Sequence, residues 1–156
     1  MTAFPGVIED TGEIDLGDRV ITLKAHGPAH TLCDLSMIDR ASGLLLPSDL
    51  LFVKRIPSVD GSLLGWLKEL AVLKAMGPAK AVPGHGPLVV DLAGAAADLE
   101  RYLIALRDGV RAEIAANGSI ENAVKTVGQA ERDHWLLFED YHARNVIAAY
   151  KELEWE

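Results

Sequence analysis

The chain has 156 residues, of which 49% are hydrophobic and 24% charged, a composition that predicts one globular domain over residues 1–156, able to bury about two-thirds of its unfolded surface. A net charge of -8 excludes a general nucleic-acid binder, because phosphate contacts need clustered Lys and Arg. The single cysteine, Cys33, excludes a disulfide framework and a cysteine-based zinc site, and reads as a small apolar strand residue.

Met1 to Pro5 offers neither a basic nor an apolar leader segment, and no stretch reaches about 18 uninterrupted apolar residues. The chain as written is therefore expected to be soluble and cytoplasmic, with no membrane partner. Residues 4–16 mix Pro5, Gly6 and Gly12 with acidic side chains, predicting a short edge strand around Val7-Ile8 and a turn at Gly17-Asp18. Residues 19–25 follow as a strand. Ile21, Leu23 and Ala25 share one face and Val20 and Thr22 the other, the pattern of a strand covered on both sides.

His26 lies four residues from His30, but Gly27-Pro28 breaks any helix between them, so that spacing carries no ligand geometry. Residues 33–38 alternate, with Cys33, Leu35 and Met37 on one face; residues 39–43 have turn chemistry, and residues 44–46 form a second apolar strand. Together they predict an antiparallel hairpin. Residues 52–60 are a connection carrying Lys54 and Arg55, a cationic pair suited to orienting an anionic substrate. Ser62 is placed to cap a helix whose stripe of Leu63, Trp66, Leu67, Leu70 and Leu73 ends at Gly77-Pro78. Trp66 belongs to that packed stripe. Residues 79–82 form the next strand.

The remainder is helical. Asp91 caps a long helix with a seam of Leu92, Leu99, Leu103, Leu106, Val110 and Ile114, stopped by Asn117-Gly118. Ser119 caps a shorter helix through Val127, and Asp140 starts the last, which buries Val146, Ile147, Tyr150 and Leu153. His134 and His142 sit beside Trp135 and Tyr141 and read as structural.

Three polar loops lie at strand ends: Gly27-Pro28-Ala29-His30-Thr31 with Asp34 beyond it, Pro47-Ser48-Asp49, and Pro83-Gly84-His85-Gly86-Pro87. In an antiparallel hairpin the start of one strand lies beside the end of its partner, which brings His30 to the edge that holds Asp49. A strand-helix-strand crossover makes the strands before Asp49 and His85 parallel. All three side chains are thereby expected at one rim, and two imidazoles with a carboxylate are metal-ligand chemistry.

This order of residues resembles the second half of the metallo-β-lactamase-fold hydrolases. Residues 57–62 with Trp66, and the ending from His142 through Glu156, are similar to the subgroup of quinoprotein relay system zinc metallohydrolases. The resemblance implies half of an αββα sandwich, an α/β fold with a mixed sheet and C-terminal helices, and metal-assisted hydrolysis by a zinc-bound hydroxide. It implies metal ligation by His30, Asp49 and His85, with Asp49 also catalytic between two zinc positions, and Thr31 and Asp34 supporting them. The superfamily's H-x-H-x-D-H motif has no counterpart in the chain, whose histidines are His26, His30, His85, His134 and His142. The chain is thus read as a C-terminal half, with zinc weakly held or absent and little activity alone, and a homodimer mate or an N-terminal half as partner. A full-length relative is expected to be periplasmic. The competing expectation is a non-catalytic α/β interaction module that keeps the rim residues as relics. Neither reading names a substrate.

Overall fold

The computed structural model describes residues 9–156; the expected strand at Val7-Ile8 lies outside them. Six strands form one sheet in sequential order: β1 (Thr11–Asp15), β2 (Val20–His26), β3 (Asp34–Asp39), β4 (Leu44–Phe52), β5 (Lys80–His85) and β6 (Val90–Asp91). Neighbouring strands are antiparallel except β4 and β5, which are joined by the crossover helix α1 (Leu63–Ala75). After β6 come α2 (Leu92–Ala115), α3 (Ile120–Thr126), a short 3-10 helix at Gln129–His134 and α4 (Phe138–Leu153). No helix among the described residues is long and apolar enough to cross a membrane.

Helix starts follow the sequence. The Ser62 hydroxyl accepts from the Gly65 amide at 2.9 Å, Asp91 from Gly94 at 2.8 Å and Ser119 from Asn122 at 3.2 Å, each satisfying an amide the helix itself leaves unpaired. The last helix differs from expectation: it begins at Phe138 behind Leu137, whose φ of 63° is left-handed. Asp140 falls inside the first turn, where a carboxylate still favours the positive helix end. Ile147, expected inside, is 36% exposed, and the buried places go to His142 and Asn145.

The main core lies on one side of the sheet, where Leu45, Leu51 and Ala81 meet Trp66, Leu70, Leu99 and Leu103. In register, Thr22, Ile38, Leu45 and Ala81 share this helix-side face. Ile14, Ile21, Leu23, Ala25, Leu35, Met37, Leu44 and Leu46 share the other, and none of them packs into the helix-side core. No residue of β2 is exposed, and Leu23, on this second face, is 4% exposed. On its helix-side face, which also carries Val20, Lys24 bonds Asp10, Thr22 accepts from Arg40, and His26 sits between Glu69 and Ser36 at 2.8 and 2.7 Å, so polar groups predominate there and most of the apolar residues look the other way. Cys33 is exposed just ahead of β3, and Leu35 is 37% exposed while Ser36 is fully buried; alternation located the faces of β3 but not which one meets the helices. β1 was also unforeseen, because its run Thr11-Gly12-Glu13-Ile14-Asp15 holds a single large apolar residue.

His142 illustrates a structural histidine. It is 3% exposed, stacks on Phe138 at 4.0 Å, donates from Nε2 to the Val127 carbonyl at 2.8 Å and accepts at Nδ1 from the Tyr102 hydroxyl at 3.1 Å. Burial lowers its pKa below the ordinary 6.5, with Arg132 adding to the effect and the Val127 carbonyl and Glu139 opposing it. The unfolded chain therefore binds the proton more readily, so stability present above pH 6.5 is lost as the pH falls towards the lowered native value. Denaturant midpoints measured from pH 7.5 to 5.5 are expected to fall for the wild type and to fall less for His142→Asn.

Candidate metal-site rim

Chain geometry gathers the three predicted residues at one rim. β3 and β4 pair antiparallel at Met37-Leu46, Ile38-Leu45 and Asp39-Leu44, which places the loop before β3, with His30, beside the far half of β4. β5 runs parallel to β4 and sets His85 opposite Phe52. One expectation is corrected: β4 does not stop before Pro47 but continues through it to Phe52, with register shifts around Ser48. Pro47 is tolerated because the ladder to β3 has ended at Leu46, so its missing N–H costs no sheet bond there. Ser48 takes φ 54°, a left-handed conformation, and the resulting bulge precedes Asp49.

The Asp49 carboxylate stands between the imidazoles. Its Oδ2 is 3.7 Å from His30 Nε2 and its Oδ1 is 3.5 Å from His85 Nε2. These separations exceed the usual hydrogen-bond range of about 2.7 to 3.2 Å. They approach the roughly 3.3 Å between two ligands that each lie about 2.0 to 2.1 Å from one tetrahedral metal. His30 is the more enclosed, with 13% of its side chain exposed against 39% for His85 and 40% for Asp49. Its ring lies 5.4 Å from Phe52 and 5.3 Å from Trp66, and His85 lies 4.6 Å from the same Phe52 ring. Trp66 is core packing as expected, and it also backs a site imidazole.

Gly84 is required by this arrangement. A Cβ there would overlap Asp49 Oδ1 and come within 2.7 Å of the Ser48 carbonyl oxygen, and the latter is backbone that cannot swing aside. Gly84→Ala is expected to displace the carboxylate and to cost about 1 to 3 kcal/mol, as overpacking does, read as a lowered denaturant midpoint.

Thr31 and Asp34 bond each other. The Thr31 amide and hydroxyl both donate to the Asp34 carboxylate at 3.0 Å, bracing the loop that carries His30. His26 and His142 are held by the partners described above, and His134 is exposed. Sequence reasoning missed the groups that hold His30: its Nδ1 donates to the Ser58 carbonyl at 2.8 Å, a backbone partner that no side-chain pattern announces.

Oxygen and nitrogen donors of this kind fit a metal, but their number does not fill a site. Each side of Asp49 has one imidazole and one carboxylate oxygen, against about three protein ligands for a catalytic zinc, and among the described residues no group of three or more His, Cys, Asp or Glu could hold a metal ion.

Residues 2–85, more than half of the chain, match the family model of the metallo-beta-lactamase superfamily. The chain belongs to that superfamily. None of the curated proteins matches it. Among solved structures, a stereoselective inverting sec-alkylsulfatase from Pseudomonas sp. is 12% identical with a TM-score of 0.73, over 94% of this chain and 26% of its own. A metallo-beta-lactamase family protein from Thermus thermophilus is 18% identical with a TM-score of 0.64, over 95% of this chain and 47% of its own. A metallo-beta-lactamase from Pontibacter korlensis is 16% identical with a TM-score of 0.55, over 62% and 47%. These likenesses show the superfamily fold, and the chain spans between about a quarter and about half of the length of each.

Proposed function

We propose that this chain supplies one side of a metal-dependent hydrolase site, with His30 and His85 as ligands of two adjacent metal positions and Asp49 as the carboxylate they share. The observation that carries this reading is the single carboxylate whose two oxygens face two different Nε2 atoms at 3.7 and 3.5 Å. Zinc held there would supply a Lewis acid that activates water for attack on an ester or amide. Within the superfamily we favour the quinoprotein relay system zinc metallohydrolases, on the sequence likeness of residues 57–66 and 142–156.

The ligands that complete each position would come from further polypeptide seated on the apolar sheet face, which is motivated by the ligand shortfall and by an apolar face outside the helix-side core. Lys54 and Arg55 are exposed, form no ion pair among the described residues, and follow Val53, whose amide donates to the His85 carbonyl at 2.8 Å. From there they would orient an anionic substrate.

The test is zinc titration of the chain, followed through the ring resonances of its histidines. His30 and His85 are expected to shift together, weakly, and Asp49→Ala to abolish both shifts; hydrolysis by the chain alone is expected well below the usual enzyme range of about 1 to 1000 per second. If zinc moves neither ring, the hydrolase reading fails and the rim residues are relics.

A further inference from the structure

His30 is held by one peptide plane, and that plane is held in turn by a buried amide 86 residues further on. The Ser58 carbonyl accepts from His30 Nδ1 at 2.8 Å, and across the same peptide the Val59 N–H donates to Asn145 Oδ1 at 3.0 Å. A peptide unit is planar with its C=O and N–H opposed, so fixing one end aims the other. Asn145 is fully buried, and its Nδ2 donates to the Pro57 carbonyl at 2.7 Å and to the Tyr102 hydroxyl at 3.0 Å. The Val59 donor and the Pro57 acceptor together allow only one orientation of the amide. Tyr102, fully buried, donates its own hydroxyl hydrogen bond to His142 Nδ1. Around this plane the loop is also pinned by Asp60 N to His30 O at 3.0 Å and Ser62 N to Ala29 O at 2.9 Å. A Cβ on Gly61 would overlap the Thr31 carbonyl.

We propose that Asn145 is a positioning residue for His30: by accepting from the Val59 N–H it sets the Ser58 carbonyl, which holds His30 as the Nδ1–H tautomer with the Nε2 lone pair toward Asp49. An imidazole presents a lone pair only on the nitrogen without the proton, and a fixed acceptor at the other nitrogen decides which that is. Accepting from the peptide N–H also polarises the carbonyl and strengthens its bond to the ring. The consequence for metal binding rests on the function proposed above, whereas the tautomer does not.

The experiment is a ring nitrogen-proton correlation spectrum of the uniformly nitrogen-15-labelled, metal-free chain. Wild-type His30 is expected as a single Nδ1–H form. In Asn145→Ala its minor tautomer is expected to rise several-fold while His85, which that peptide does not touch, keeps its signals. Asn145→Asp retains the acceptor for Val59 but sets a carboxyl oxygen against the Pro57 carbonyl, and is expected to restore the single form in part. Should the alanine variant not fold, Tyr102→Phe, which removes one hydroxyl from the amide's support, is expected to move His30 in the same direction by less. An unchanged His30 in the folded variant tested, or a His85 change as large as that of His30, overturns the proposal. Zinc added to the wild type in the same experiment tests the metal reading separately, since rings indifferent to zinc leave the tautomer result standing.

Discussion

Trp66→Ala is expected to lower the stability of the chain by about 3 to 5 kcal/mol, the cost usual for emptying a buried indole site. Trp66 is fully buried, its Nε1 donates to the Leu50 carbonyl at 3.0 Å, and its ring lies 5.9 Å from Phe52 and 5.3 Å from His30. Removing it opens a cavity and also takes a hydrogen bond from the carbonyl of the residue that follows Asp49. Against a total stability of about 5 to 15 kcal/mol for a typical domain, that loss brings the variant close to unfolding. Chemical denaturation of wild type, Trp66→Ala and Trp66→Phe separates the parts. The phenylalanine variant keeps most of the packing, so its loss is expected near the roughly 0.5 to 1.5 kcal/mol of one lost hydrogen bond. An alanine variant within about 1 kcal/mol of wild type would contradict the backing role given to this ring, being well short of the cavity cost.

Convergence of His30, Asp49 and His85 was legible because it needs only the direction of three strands: a hairpin fixes the first two and a crossover the third. Details that set the site were not legible. The bulge at Ser48 rests on a left-handed serine, which residue type disfavours rather than announces. Asn145 meets Val59 across 86 positions of sequence, and neither residue carries a mark of the other. Leu35 and Met37 alternate with Ser36 and Ile38, and period-two alternation separates faces without saying which one the helices cover. The side-chain helix caps at Ser62, Asp91 and Ser119, by contrast, depend on residues within three positions and were readable, whereas the last helix starts behind Leu137 with no side-chain cap to announce it.

Met37→Lys is expected to abolish association of the chain through its sheet. Met37 sits in register between Leu23 and Leu46, at the middle of the face that stays out of the helix-side core. Proteins rarely leave more than a few hundred Å² of contiguous apolar surface in water. If two copies each covered about 400 Å² of this face, burial at about 25 cal/mol per Å² would contribute about 20 kcal/mol. Association costs about 4 to 15 kcal/mol, so the balance allows the roughly 8 kcal/mol of micromolar affinity. A twofold arrangement is the commonest closed assembly, and in the isolated chain a second copy can occupy the face that further polypeptide is proposed to fill. Light scattering at micromolar concentration is expected to give a mass above the 16.8 kDa of one chain for the wild type. Val20→Lys, placed on the helix-side face of β2 with Thr22, is expected to behave as wild type, and Met37→Lys to return to one chain, because a lysine at the centre of an apolar contact must either leave its charge desolvated or hold the sheets apart. A wild type that scatters as a single chain and binds no hydrophobic dye would remove the second copy as an occupant. A charge at position 37 that left the larger mass intact would put the contact on another surface.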